Sequence, residues 1–544
     1  MRRPLTLVAL AAAPVLALGV FFVLPVTGML AEGFWVDGRF APGEVLAVLG
    51  RPRVHRVLWF TLWSATAATA VAVLLGLPAA YAVSRLALPG RGALRAALMV
   101  PFVLPTVVVG VAFQQLLGED GSLGFLGLDG SPVAIVLGLA FFNVSVVVRV
   151  VGGAWESLDP RPAEAAAALG AGPAQVFRTV TWPALRPAVV SAGSVVFLFC
   201  AAGFGVVLTL GGLRYASVET EIYLLTTNLL DLQAAAALSV LQLLVVGSLL
   251  LVAGRLRAVP DARVARTVAR PRAARRGDVP VLLATALLVV YVAAPVLTLV
   301  AGSLRVDGAW SLANYRALGT EGSEQALLVP VTAALGNSVR TAVDATWMAV
   351  LLGLLVAVVV TGRSRSRAER RVRGLLDGFF MLPLGVSAVT VGFGFLITLD
   401  RPPLDLRDSG LLVPVAQALV ALPLVVRTLV PVLQGIDDRQ RQAAASLGAG
   451  PLRSALTVDL PIVWKPLLAA AGFAFAVSLG EFGATSFLAR EDAPTLPVVI
   501  FRLIGHPGAM NYGMALAGSV VLAATTAVVM LAVERLRVGS VGTF

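Results

Sequence analysis

Cysteine, histidine and lysine are nearly missing from this sequence: Cys200 is the one cysteine, His55 and His506 the two histidines, Lys465 the one lysine. A lone cysteine forms no intrachain disulfide, and Cys200, inside an apolar run, reads as a small buried hydrophobe. Two histidines with no second cysteine make no zinc-type ligand set. A phosphate-binding loop needs G-x4-G-K-[ST], because its lysine pairs with the phosphates. The lysine in VWKPLL has no glycine loop before it, so ATP hydrolysis is excluded from this chain. Charge is scarce as well, at 13% of residues, whereas 58% of the 544 residues are apolar. Soluble domains carry about 25% charge. So little polar surface cannot face water on all sides, and the composition predicts a polytopic membrane protein.

Runs of about 20 apolar residues cross a bilayer core of about 30 Å, and such runs recur along the whole chain. Twelve windows qualify, predicting an all-α fold: 5–30, 57–84, 95–117, 133–152, 188–210, 236–254, 279–301, 337–361, 374–398, 411–433, 467–488 and 514–533. The start, MRRPLTLVALAAAPVLALGVFFVLP, has the basic end of a signal peptide, but its apolar run is long and no small-x-small cleavage site follows. It is read as a retained first helix.

The net charge of +12 raises nucleic acid as a partner, and its distribution argues against it. Eight arginines against one acid, Asp261, fill 255–276, and six against Glu369 fill 363–373. Both clusters lie between apolar windows, where arginine bias sets topology and meets lipid headgroups. Placing Arg2 and Arg3 in the cytoplasm puts both clusters, and both chain termini, on that side. The segments GEDGSLGFLGLDG (118–130) and AREDAP (489–494) then face outward.

The sequence also repeats itself. EAAAALGAGPAQVFRTVTWPALRP (164–187) returns as QAAASLGAGPLRSALTVDLPIVWKP (442–466), 278 residues on, and Arg149, Asp159, Pro183 and Phe204-Gly205 match Arg427, Asp437, Pro461 and Phe482-Gly483 at that offset. MVPFVLPTVVVGVAF (99–113) aligns with MLPLGVSAVTVGFGF (381–395) at offset 282. The chain is thus expected to be two six-helix halves, 1–255 and 279–544, joined by a basic cytoplasmic linker, 256–278. An even number of spans gives both halves one orientation, as in parallel-repeat transporters with a pathway between the halves.

Each repeated polar segment reads as a helical hairpin. Alanine-rich helix formers follow prolines in 160–169, and Gly170, Gly172 and Pro173 end the helix; Gly448, Gly450 and Pro451 do so in the second copy. A duplicated loop with no task is the plainer reading. The pattern E-A-A-x3-G-x9-hydrophobic-x-hydrophobic-Pro, however, resembles the EAA loop of permease subunits of binding-protein-dependent ABC importers. Glu164, Ala165, Ala166, Gly170, Val180 and Pro183 fit in the first loop (153–187), and Gln442, Ala443, Ala444, Gly448, Val458, Leu460 and Pro461 in the second (434–466). The resemblance spans nearly the whole chain and implies a type I importer permease in a bacterial cytoplasmic membrane. It also implies a homodimeric ATP-binding cassette ATPase docked on the two loops, carrying the ATP and magnesium, and an extracytoplasmic substrate-binding protein. Gln442 replaces the motif's Glu and Trp182 its usual Leu, so the two ATPase contacts are expected to be unequal.

The stretch SLGEFGATSFLAREDAPTLPVVIFRLIG (478–505) resembles fused permeases for thiamine and for ferric iron, and 208–244 is closer to the thiamine type. Thiamine is the favoured substrate and ferric iron the next. Polar groups inside spans are candidates for the pathway, since an ionised side chain at mid-bilayer costs at least about 2.5–3.5 kcal/mol. Glu481, between Gly480 and Gly483, is the sharpest, as a gate or cation-facing group or else an interhelical hydrogen bond; Asn143, Gln242 and Gln417 follow. The rival classes are a secondary active transporter, which needs ion-coupling carboxylates, for which Glu481 and Asp344 are the candidates, or broken helices at midplane, and an intramembrane enzyme, for which neither histidine lies in a span.

Overall fold

A computed structural model describes residues 2–36, 38–212, 214–257, 271–362, 366–400 and 404–536. Among these, nine helices are long and apolar enough to cross a membrane: α1 Leu10–Phe34, α2 Pro52–Arg85, α3 Pro132–Ser157, α4 Pro173–Ala201, α5 Arg276–Ser303, α6 Val331–Thr361, α7 Leu412–Gln434, α8 Ala455–Leu479 and α9 Ala509–Val533. Among the described residues, strands are confined to two antiparallel pairs, Trp35–Val36 with Arg39–Phe40 and Arg305–Val306 with Ala309–Trp310, each just after the first helix of a sequence half.

Each of the twelve apolar windows has a helical counterpart, but not each is a straight rod. The window 95–117 is two helices, Arg91–Phe102 and Thr106–Leu117, bent by 100°. Pro101 and Pro105 lie at the bend, where each removes a backbone donor and restricts the preceding residue. Its repeat, 374–398, is likewise broken into Arg367–Phe380, the short turn Leu382–Gly385 and Ala388–Thr398. The windows 188–210 and 467–488 end early, at Ala201 and Leu479, with Phe204–Gly211 and Thr485–Leu488 following as separate helices. The breaks fall at Ala202-Gly203 and at Gly480, where glycine is least costly outside a helix.

The chain packs as two compact units, and these are not its two sequence halves. One unit holds the residues up to Leu49, Ile222–Leu243, and the chain from Leu312; the other holds Gly50–Glu221 and Leu244–Ser311. Each half therefore gives its first long helix to a unit built mainly by the other half. In the first unit, Leu18 and Phe22 of α1 join a core with Phe380, Phe395, Leu399, Leu419, Leu422 and Leu488. In the second unit, α5 packs on α2 and on Thr106–Leu117. There Tyr291 stands edge-on to Phe113 and Phe141, at 6.3 and 5.9 Å, and donates to the Leu137 carbonyl at 2.5 Å.

Inside each unit the helix contacts rest on small residues. Ala68, Ala72, Gly76 and Ala79 line the buried face of α2, and Ala342, Ala345, Ala349 and Gly353 that of α6. A Cβ on Gly76 would lie 2.9 Å from Val147, and one on Gly353 would lie 2.6 Å from Val425. Close approach of this kind replaces the hydrophobic drive that lipid removes. Most of the linker, 258–270, lies outside the described residues, as do Arg363 and Arg365 and the end of the chain from 537. Its last turn is stitched to the end of α2: Arg272 N–H donates to Arg85 O at 3.0 Å, Ala87 N–H to Arg272 O at 2.8 Å, and the Arg272 guanidinium clasps Asp278 with two bonds of 2.7 Å.

Candidate functional site

The two repeated hairpins have closely matching backbones, the second helix starting one residue earlier. Asp159 accepts from Arg161 N–H at 3.0 Å and Asp437 from Arg439 N–H at 2.9 Å, opening the helices Arg161–Ala168 and Asp438–Ser446. Gly170 and Gly448 close them in the left-handed region, at φ +88° and +83°. Gly170 N–H donates to Ala167 O and Ala171 N–H to Ala166 O, at 3.0 and 3.1 Å; Gly448 and Ala449 repeat the pair onto Ala445 and Ala444, at 3.0 and 2.9 Å. This double closure is the Schellman motif, which satisfies helix-end carbonyls and needs a residue tolerant of positive φ.

Ahead of each glycine stands a leucine with nothing over it: Leu169 is 89% exposed and Leu447 87%. Glu164, Ala165, Gly170 and Pro183 are exposed and Ala166 half-buried; Gln442, Ala443, Gly448, Pro461 and Ala444 repeat that pattern. After Gly172 and Gly450 the chain re-enters helix at Pro173 and Pro451, then widens into π-turns, Phe177–Thr181 and Ala455–Asp459. Pro183 and Pro461 follow those turns. A proline there lacks the N–H that would close on the carbonyl four residues back, and its ring pushes that carbonyl away, so the turn opens.

The bracing of the two hairpins differs. In the second, Arg441 joins the helix to the π-turn through Asp459, Nε to Oδ1 at 2.8 Å, and also meets Asp438. The repeat positions in the first are Ala163 and Thr181, and there Phe177 rests on Trp182 with ring centroids 6.3 Å apart.

The buried polar groups divide unevenly between the units. Asn143 lies in the Gly50–Glu221 unit, its amide donating to Leu139 O at 2.9 Å and lying 3.3 Å from Cys200 Sγ. Gln242, Gln417 and Glu481 belong to the other unit, where Gln242 Oε1 accepts from Thr390 at 3.2 Å. Glu481 is buried and caps Thr485–Leu488: its two oxygens accept the N–H groups of Ala484 and Thr485, at 2.8 and 3.0 Å, and one takes the Thr485 hydroxyl. No cation pairs with it among the described residues, whereas the other unit's buried Glu221 is neutralised by a two-bond clasp from Arg53.

Gln417 and Ser478, each 1% exposed, hold side-chain oxygens without a partner among the described residues. With Glu481 and Thr485 they occupy, at offset 278, the places of Leu139, Cys200, Gly203 and Val207. The second half is therefore polar at four buried positions where the first half carries no charge and, apart from the thiol, no polar side chain. Sequence reading found Gln417 and Glu481; comparing the halves position by position, rather than scanning each span for charge, would have found Ser478 and Thr485.

The sequence profile of the family described as "Binding-protein-dependent transport system inner membrane component" matches residues 72–266 and 349–537, one stretch in each half and each containing one hairpin. The chain is 28% identical over 469 residues to the thiamine transport system permease protein ThiP of Brucella abortus (strain 2308), covering 83% of this chain and 82% of that one. It is 28% identical over 464 residues to ThiP of Escherichia coli (strain K12), covering 82% and 83%. It is 24% identical over 536 residues to the ferric transport system permease protein FbpB of Actinobacillus pleuropneumoniae, covering 94% and 75%.

Proposed function

Because the chain belongs to the family of binding-protein-dependent transport system inner membrane components, we propose that it carries thiamine across the bacterial inner membrane, with ferric iron the next substrate in order. It is a multi-pass ABC-importer permease, a transport subunit rather than an enzyme, and such permeases work with an ATPase and a substrate-binding protein. In the proposed assembly both hairpins face the cytoplasm with the chain termini, and two copies of one ATPase, with its ATP and magnesium, seat on them. A receptor delivers substrate to the outer face. Closure of the ATPase pair favours one arrangement of the permease over the other, and that difference in contact couples hydrolysis to transport.

The observation that carries this reading is the duplicated hairpin, with matching caps, left-handed glycines, exposed leucines and π-turns. The order of substrates follows the relatives' names and the identity of the matches, 28% to the thiamine permeases against 24% to the ferric one, although the ferric match is the longer. Both substrates are cations, and Glu481, with which no cation pairs among the described residues, is the group we assign to face them, with Gln417, Asn143 and Gln242 as further polar positions in the pathway.

The test is ATP hydrolysis by the reconstituted complex with thiamine-binding or ferric-binding receptors, for wild type and a Gly170→Pro, Gly448→Pro double variant. Hydrolysis stimulated by one receptor and lost in the variant is the expected result, and that receptor names the substrate. If no ATPase binds the wild-type chain, the importer reading fails and a secondary transporter takes its place.

A further inference from the structure

We propose that the helix Arg367–Phe380 is a binding surface for anionic phospholipid headgroups of the cytoplasmic leaflet. At 3.6 residues per turn its side chains fall into three stripes, with Asp377, half-buried, between the first and the third. Glu369, Arg373, Leu376 and Phe380 face the protein: Phe380 is fully buried, and Leu376 packs on the core that includes Leu18 and Phe22. Arg373 is held there by Glu369, Nη2 to Oε1 at 2.9 Å, and by the Val359 carbonyl. The second stripe, Ala368, Val372, Leu375 and Phe379, is apolar; Val372 and Leu375 are 45% and 68% exposed, while Phe379 at its end packs against that same core. The third holds Arg367, Arg370 and Arg371, all exposed, with no ion pair or side-chain hydrogen bond among the described residues.

An exposed apolar stripe beside an unpaired basic one, on a single ordered helix, is the pattern of a helix lying in the bilayer interface. The apolar stripe enters the acyl region and the arginines stand at phosphate depth. Topology alone does not require this pattern, because arginine anywhere in the loop satisfies charge bias.

The corresponding helix of the first half, Arg91–Met99, shows what this place in the repeat needs without lipid recognition. At offset 282 Arg91 takes the place of Arg373, donating to Val83 O at 2.5 Å and to Glu156 at 3.0 Å, and Arg95 joins it on Glu156. That helix begins at Arg91, directly after Gly90 in the left-handed conformation. Only the second half extends the helix backward to Arg367, and that extension holds the three unpaired arginines. The choice of leaflet rests on the orientation proposed above; the affinity for anionic headgroups does not.

The test uses the purified full-length chain in neutral detergent, titrated with fluorescent phosphatidylglycerol and followed by anisotropy, with no ATPase present. Unlabelled phosphatidylglycerol, phosphatidylcholine and inorganic phosphate serve as competitors. Wild type should bind phosphatidylglycerol in preference to phosphatidylcholine, with affinity that falls as salt rises. The R367Q/R370Q/R371Q variant should melt as wild type does but bind on the order of 100-fold more weakly at low salt. V372S/L375S should also bind more weakly while keeping the wild-type salt dependence. Equal binding by wild type and the arginine variant overturns the proposal, as does inorganic phosphate competing as well as the lipid. In an Arg371→Cys variant, labelling by an impermeant maleimide only in inverted vesicles supports the leaflet; labelling only in right-side-out vesicles overturns the leaflet and the orientation without touching the lipid-binding result.

Discussion

Gly170 and Gly448 are the residues on which the hairpins turn. A Cβ at either position meets nothing within 4 Å, so substitution is opposed by the backbone angle alone. Gly→Ala at either site should cost about 1–2 kcal/mol in the hairpin, with Asn costing less because it tolerates the left-handed region. Faster exchange of the Ala171 or Ala449 amide, the second bond of each closure, would measure it. Leu169 and Leu447 behave oppositely. They contribute almost nothing to the isolated fold, so Leu→Ala at either should leave the melting temperature unchanged. If the ATPase covers them, each loses up to about 1.5–3 kcal/mol of apolar burial, about tenfold or more in the affinity of the ATPase, read by titrating it onto the detergent-solubilised chain. The glycines were readable in the sequence because LGAGP after an alanine-rich run is a helix stop. The leucines were not, because an apolar residue in an apolar chain reads as buried until the tip of the hairpin is seen.

At the scale of helices, the second half has placed polar groups where the first half has an apolar seam. In the first half Cys200 Sγ lies 3.9 Å from the Leu139 carbonyl, and a Cβ on Gly203 would sit 2.3 Å from Leu139 Cδ2, so these positions touch. Their counterparts lie on α7, on α8 and at the break that follows it, and α7 packs on both α8 and Thr485–Leu488. A buried polar atom left without a partner costs about 1–3 kcal/mol. Exchanging in the residues of the first half, Gln417→Leu and Ser478→Cys, should therefore hold or raise thermal stability while slowing substrate uptake into proteoliposomes. Unchanged uptake would make the oxygens incidental. Glu481→Leu should instead destabilise the chain, because it strips the cap from two buried N–H groups. Hydropathy windows located every one of these helices and none of their breaks, since averaging over about 19 residues smooths away a glycine or proline at one position.

The whole molecule is a repeat in sequence but an exchange in packing. The repeat could be read from matched offsets. The exchange could not, because apolar periodicity says that a face is buried without naming the helix that buries it. The residues from 271 onward, expressed alone, lack α1 and the Ile222–Leu243 segment, leaving the face of Phe395, Leu399 and Leu419 without the helix that bears Leu18 and Phe22. They should aggregate on extraction, whereas co-expression with residues 1–257 should yield a complex that runs as one species in size-exclusion chromatography. Independent monodispersity of both pieces would show that the exchanged helices contribute little.

The exchange also sets a clock. Leu18 and Phe22 leave the ribosome early, but Phe380, Phe395 and Leu419, which enclose them, are made more than 350 residues later. At about 5–20 residues per second the first helix waits on the order of 20–80 s in the membrane for its neighbours. Its exposed apolar surface is harmless in lipid, which solvates it as well as protein does. The unit containing α5 closes sooner, because its last helix ends at Ser303. The half that is translated first thus begins to fold first, yet its opening helix is among the last parts of the protein to find its place.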